Sequence, residues 1–108
     1  MLDKFTDVSG LLHYGVYVLL HHGKVVYVGK CTKGMLIRIA THRSLARKTV
    51  PTWLPVKGIV FDQIMIRQVH PDQMEDLVDD LIDTYQPRYN LPSPYQIVAQ
   101  QVELIRRI

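Results

Sequence analysis

"HYGVYVLLHHGKVVYVGK", residues 13–30, decides how this chain folds. Residues 15–20 (GVYVLL) and 24–28 (KVVYV) are runs of β-branched, aromatic and aliphatic side chains, the composition of pleated strands. The HHG between them supplies the glycine of a tight turn, so the two runs read as an antiparallel hairpin. A buried hairpin has no need of Tyr17 near the start of one strand and Tyr27 near the end of the next, followed at once by Gly29 and Lys30. Cross-strand neighbours lie about 5 Å apart, which would bring both phenols to one patch. The alternative is that both tyrosines are strand-edge packing.

Outward from the hairpin, CTKG (31–34) breaks the strand pattern. From Met35 to about Arg47 the apolar residues Met35, Leu36, Ile39, Ala40 and Leu45 recur at helical spacing, with Arg38, Thr41 and His42 along another face. The two prolines of KTVPTWLPVKG (48–58) make it a loop, and IVFDQIMIRQV (59–69) alternates like a third strand. HPDQ (70–73) opens a helix, with Pro71 near its first position and Asp72 and Glu75 suited to its positive end. That helix runs to about Thr84, with an apolar stripe of Met74, Leu77, Val78, Leu81, Ile82 and Tyr85. QPRYNLPSP (86–94) ends it, and a last amphipathic helix covers about 93–107. The order β-β-α-β-α-α implies a single α/β (α+β) domain over residues 1–108, a small three-stranded antiparallel sheet flanked by helices.

A chain of 108 residues supports one core, and 47% apolar with 21% charged residues is ordinary for a soluble globular protein. No apolar run approaches the roughly 20 residues that span a bilayer. The polar start MLDKFTDVSG is unlike an export signal, so a cytoplasmic location is expected, with no membrane partner. The single cysteine, Cys31, excludes an internal disulfide or a multi-cysteine zinc site and reads as a small apolar residue in a turn. The net charge is only +3, but it is unevenly spread. Lys30, Lys33, Arg38, Arg43, Arg47, Lys48 and Lys57 form a basic stretch without an acid, whereas residues 72–83 carry six acids and no base. The basic stripe suits a phosphate backbone, its alternative being a solvated helix face.

These elements together resemble the GIY-YIG nuclease superfamily: GVY at 15–17, YVG at 27–29, Arg38 in the following helix, His42 one turn later, and QPRYN at 86–90. The likeness is nearest to the N-terminal nuclease domain of the bacterial excision-repair incision protein and to small stand-alone or phage-type members. It covers roughly residues 14–90. The resemblance implies a metal-dependent endonuclease that hydrolyses DNA phosphodiesters with Mg²⁺ or Mn²⁺. It implies Tyr17 at the attacking water as general base or its relay, and Tyr27 lining the same pocket. It also implies Asn90 organising the site by hydrogen bonds.

The residue types are suited to such chemistry. Arg38 offers a planar fork for two phosphate oxygens, and His42, at i+4, shares its helix face and suits proton transfer or donation to the phosphate. Taken alone, His42 also fits a surface position. Gly29 permits a close turn at the strand end, after which Lys30 meets a phosphate as a point charge. Lys33, Arg43, Arg47 and Lys48 extend the DNA-binding surface. His21 and His22, neighbours in a turn, should point apart, and with His13 and His70 they read as solvated loop histidines, not metal ligands.

One departure matters. The family's single metal-ligating glutamate falls, counting back from Asn90, on Val78. Glu75 lies about 60° round the helix from that position and roughly 4.5 Å along its axis, and is the candidate displaced ligand; Asp79, about 100° away, is the second. The competing expectation is a domain that keeps the phosphate pocket without the metal and serves as a nucleic-acid-binding or regulatory module. The apolar side of the last helix (Ile97, Val98, Val102, Leu104, Ile105) would cover the sheet or form a homodimer or partner face.

Overall fold

The computed structural model describes residues 1–46 and 57–90. A short 3₁₀ turn (Ser9–Leu12) precedes β1 (Gly15–His21), β2 (Lys24–Cys31), α1 (Met35–Leu45), β3 (Gln63–Arg67) and α2 (Pro71–Tyr85). The strands form one antiparallel sheet in the order β2-β1-β3, so the tyrosine-bearing β1 is central. The expected α+β architecture holds through α2. The expected helix over 93–107, with Arg47 and Lys48, lies outside the described residues.

The hairpin turn is made by His22 (φ 51°) and Gly23 (φ 79°), a pair of positive φ values whose twist matches that of the flanking strands. Two residues from the turn the register slips: Leu19 pairs with Tyr27 but Leu20 with Val25, leaving Val26 as the extra residue of a β-bulge. The bulge keeps Val26 and Tyr27 on the same side of the sheet as Tyr17 and Leu19, where Met35, Ile39 and Ile59 complete a core beneath α1. On the other side Val16, Val18, Val25 and Val28 pack against Met74, Leu77, Val78, Leu81 and Ile82 of α2. Burying each large aliphatic side chain of these cores contributes roughly 1.5–3 kcal/mol.

Two strands differ in length from expectation. β2 continues to Cys31, so Gly29 lies within the strand and opposite Tyr17, not at a turn. A Cβ there would overlap the Tyr17 ring and stand 2.5 Å from its hydroxyl oxygen; glycine is what lets the phenol lie across β2. β3 starts only at Gln63, because Ile59 is drawn under α1, its N–H donating to the His42 carbonyl at 3.0 Å. Both helix starts are secured by hydrogen bonds. The Met35 N–H donates to the His13 carbonyl (3.2 Å), and His70 caps α2 by accepting from the Asp72 N–H through Nδ1 (3.3 Å), with Pro71 next.

Gly29→Ala should therefore lower the unfolding free energy by about 1–3 kcal/mol, because the methyl group displaces a buried ring. Urea unfolding followed by far-UV circular dichroism measures this, and an unchanged midpoint would contradict the steric role.

Candidate active site

Tyr17 and His42 are each 1% exposed, and the Tyr17 hydroxyl lies 2.8 Å from His42 Nε2. The other ring nitrogen, Nδ1, is 2.7 Å from the carbonyl oxygen of Lys57. A carbonyl only accepts, so Nδ1 carries the proton and donates it to Lys57, leaving Nε2 to accept from the phenol. This corrects the surface placement of His42, whose ring is buried with Nε2 against the Tyr17 hydroxyl. Burial holds its pKa below the ordinary histidine value; the Lys57 hydrogen bond opposes the shift and the nearby Arg38 charge adds to it. The ring is thus neutral at neutral pH.

Tyr27 completes an aromatic trio, its ring centroid 6.1 Å from that of Tyr17 and 4.9 Å from that of His42. The adjacent strands do bring the two phenols together, but they are not equivalent. Burial, reinforced by negative charge on Tyr27, pushes the Tyr17 hydroxyl far above the ordinary phenol range, with Arg38 opposing. Tyr27 is half-buried, and its upward shift from burial is opposed by Arg38 and by hydrogen bonding with Tyr17. Tyr27 is the outer phenol, with Tyr17 fully buried behind it.

The Lys57 carbonyl is brought to His42 by close backbone approach. A Cβ on Gly58 would sit 2.7 Å from the Leu45 carbonyl carbon, so glycine is what allows residues 57–59 to run against the end of α1. The Lys57 ammonium in turn donates to the Tyr89 carbonyl, and the Tyr89 N–H donates to the carbonyl of the bulged Val26 at 3.1 Å. Asn90 finishes the stitch: its Oδ1 accepts from the Val28 N–H (2.8 Å) and its Nδ2 donates to the Val28 carbonyl (2.9 Å). The PRYN turn thereby closes the outer edge of β2, and Asn90 positions the strand. Sequence reading missed Lys57 and Gly58 as site residues, since only tertiary packing joins them to His42.

Arg38 is exposed and has no ion-pair partner among the described residues; Lys33 and Arg43 share that state. The Arg38 charge acts on all three of Tyr17, Tyr27 and His42. Lys30 is elsewhere. It pairs in register with Val16 and holds Glu75 of α2 at 3.4 Å, on the sheet face opposite the phenols. Gly29 is buried against Tyr17, so its part is steric. Cys31 packs beside the same core, its thiol directed to the Gly34 carbonyl at 3.5 Å.

These residues do not furnish a divalent-cation site of the kind the resemblance implies. Val78 packs in the apolar cluster under α2, and Glu75 is engaged by Lys30. Asp79 is exposed and makes no ion pair among the described residues. The one set of three close ligand groups among the described residues is His21, His22 and Asp62, at the hairpin turn. The two imidazoles come together there and do not point apart as expected.

No protein-family model matches the chain. No curated protein matches it either. Solved structures do. The chain is similar to the GIY-YIG N-terminal endonuclease domain of UvrC from Thermotoga maritima bound to magnesium, its catalytic divalent cation, at 21% identity and a TM-score of 0.56, over 76% of this chain and 88% of that one. Two tyrosine-to-phenylalanine point mutants of the same domain, each bound to its catalytic divalent cation, match at 24% and 22% identity with TM-scores of 0.56 and 0.57. They cover 76% of this chain and 87% and 88% of theirs. The chain has a GIY-YIG-like fold.

Two outcomes follow from this network. Asn90→Ala removes both bonds to Val28 and should destabilise the fold by about 1–3 kcal/mol in urea unfolding, whereas a surface-like effect below about 0.5 kcal/mol would contradict the clamp. His42 binds its proton more weakly folded than unfolded, so its contribution to stability is present above about pH 6.5 and is lost as pH falls below that value. Unfolding free energy measured from pH 7 to 5 should fall less steeply in His42→Gln than in the parent; parallel slopes would refute the buried neutral ring.

Proposed function

We propose that this chain is a nucleic-acid phosphodiesterase, an endonuclease acting on DNA, with Tyr27, Tyr17, His42 and Arg38 as its working parts. The observation that carries the reading is the Tyr17–His42 hydrogen bond within the aromatic trio: an outer phenol, an inner phenol bonded to a neutral imidazole, and an exposed Arg38 with no ion-pair partner among the described residues. Tyr27 takes a proton from the attacking water as its own hydroxyl proton passes to the Tyr17 oxygen and that of Tyr17 passes to His42 Nε2, so the water's proton is balanced by an imidazolium, and Arg38 holds the phosphate oxygens as negative charge develops. Lys33 and Arg43 are proposed to steer the backbone, and Asn90 to keep β2 in place. The likeness to the UvrC domain, whose structures hold a catalytic divalent cation, supports the reading at the level of fold. No step here runs through a metal, because position 78 is valine.

Valine at that position, with Glu75 tied to Lys30, favours a second reading: a domain that binds nucleic acid through Arg38 without cutting it. One experiment separates the two. Fluorescently labelled single- and double-stranded DNA is incubated with the protein in Mg²⁺, in Mn²⁺ and in EDTA, and both binding and product are measured. The nuclease reading expects strand scission that Tyr27→Phe and Arg38→Ala each reduce at least about 100-fold. The binding reading expects no scission but salt-sensitive association that Arg38→Ala weakens. Neither scission nor binding on either substrate would overturn both.

A further inference from the structure

The β1–β2 turn holds a group of side chains that the phenol site does not use. Side chains of successive residues in a strand point to opposite faces, but the left-handed backbone of His22 (φ 51°) cancels that alternation. The His21 and His22 rings therefore lie 4.0 Å apart, centroid to centroid, at 57°. Asp62, just before β3, is fixed against the same turn. Its N–H donates to the Leu20 carbonyl (2.9 Å), and its Oδ2 accepts from the His22 N–H (3.1 Å) while standing 3.7 Å from His22 Nδ1. Lys24, opposite His21 in the register, makes no ion pair with Asp62, so the carboxylate is left to the imidazoles.

We propose that His21, His22 and Asp62 form a binding site for a borderline transition-metal ion, Zn²⁺ foremost. One ligand atom from each of the three lies within 4.8 Å of the other two. Ligands about 2.0–2.2 Å from a common metal stand roughly 3–3.5 Å apart, so closure takes small rotations of side chains with no backbone movement. Two imidazole nitrogens and one carboxylate select zinc and its neighbours over Mg²⁺, which prefers oxygen donors and its own water. Since the residues are largely at the surface, water fills the remaining positions. The bound ion ties the hairpin turn to the entrance of β3. His21 is four residues along β1 from Tyr17, roughly 13 Å, so this site is separate from the phenol cluster.

The full chain, stripped with EDTA and desalted, is titrated with Zn²⁺ by calorimetry, and with Co²⁺ for its visible absorption. One ion per chain is expected. His21→Ala, His22→Ala and Asp62→Asn should each weaken binding about tenfold or more, with His13→Ala and His70→Ala unchanged and Mg²⁺ unable to compete. Asp62→Asn retains an acceptor for the His22 N–H, and metal-free unfolding midpoints matching the parent show that the variants fold. Absence of stoichiometric Zn²⁺ binding, equal affinity in all variants, or one ion per two chains would overturn the proposal.

Discussion

The hydrogen bond between the Tyr17 hydroxyl and His42 Nε2 is the constraint on which the site depends. Both groups are buried, and an unpaired polar atom there would cost about 1–3 kcal/mol, so each obliges the other to be held in place. Holding them draws in the rest of the molecule. Gly29 leaves room for the phenol, Gly58 lets Lys57 present its carbonyl to Nδ1, and the Lys57 ammonium and Asn90 fasten the PRYN turn to β2. Two loop segments, two strands and α1 are thereby coupled through one imidazole. The turn after α2 is joined to the imidazole through Lys57, and its Tyr89 packs against the core that holds Tyr17.

The same framework explains why the two faces of the sheet serve different ends. On the α1 face the described buried side-chain polar atoms are paired, and Arg38 of α1 is exposed. The α2 face is apolar up to its rim, and Val78 belongs to that packing. Valine there adds buried aliphatic surface where a carboxylate would demand either a cation or desolvation without a partner. Glu75 settles instead for a partly solvated pair with Lys30, an interaction of the kind that contributes little to stability. The chain combines a GIY-YIG-like fold with a phenol–imidazole cluster on the α1 face and apolar packing at position 78 of α2.

Much of this was legible in the sequence, for identifiable reasons. The strand runs around Tyr17 and Tyr27, the helical recurrence from Met35 and the Pro71 start of α2 are local patterns, and β1, α1 and α2 formed close to their expected bounds. The failures all concern long-range or non-repeating geometry. Strand alternation could not reveal the bulge at Val26, which brings Val26 and Tyr27 to the same face. Nor could it anticipate His22 in a left-handed turn, which turns two histidines toward each other. His42 looked like a surface residue because its helix is amphipathic only weakly around it. Its burial comes with residues 57–59, whose close approach to the end of α1 is allowed by Gly58.

The most direct test of the account is the ¹⁵N chemical shifts of the His42 ring in selectively labelled protein between pH 7 and pH 5. A protonated Nδ1 and a bare Nε2 at neutral pH, persisting below pH 6.5, is the result the Lys57–His42–Tyr17 chain requires. A ring protonated at Nε2, or one titrating like a free histidine near pH 6.5, would contradict it, because the Tyr17 hydroxyl would then have no base behind it.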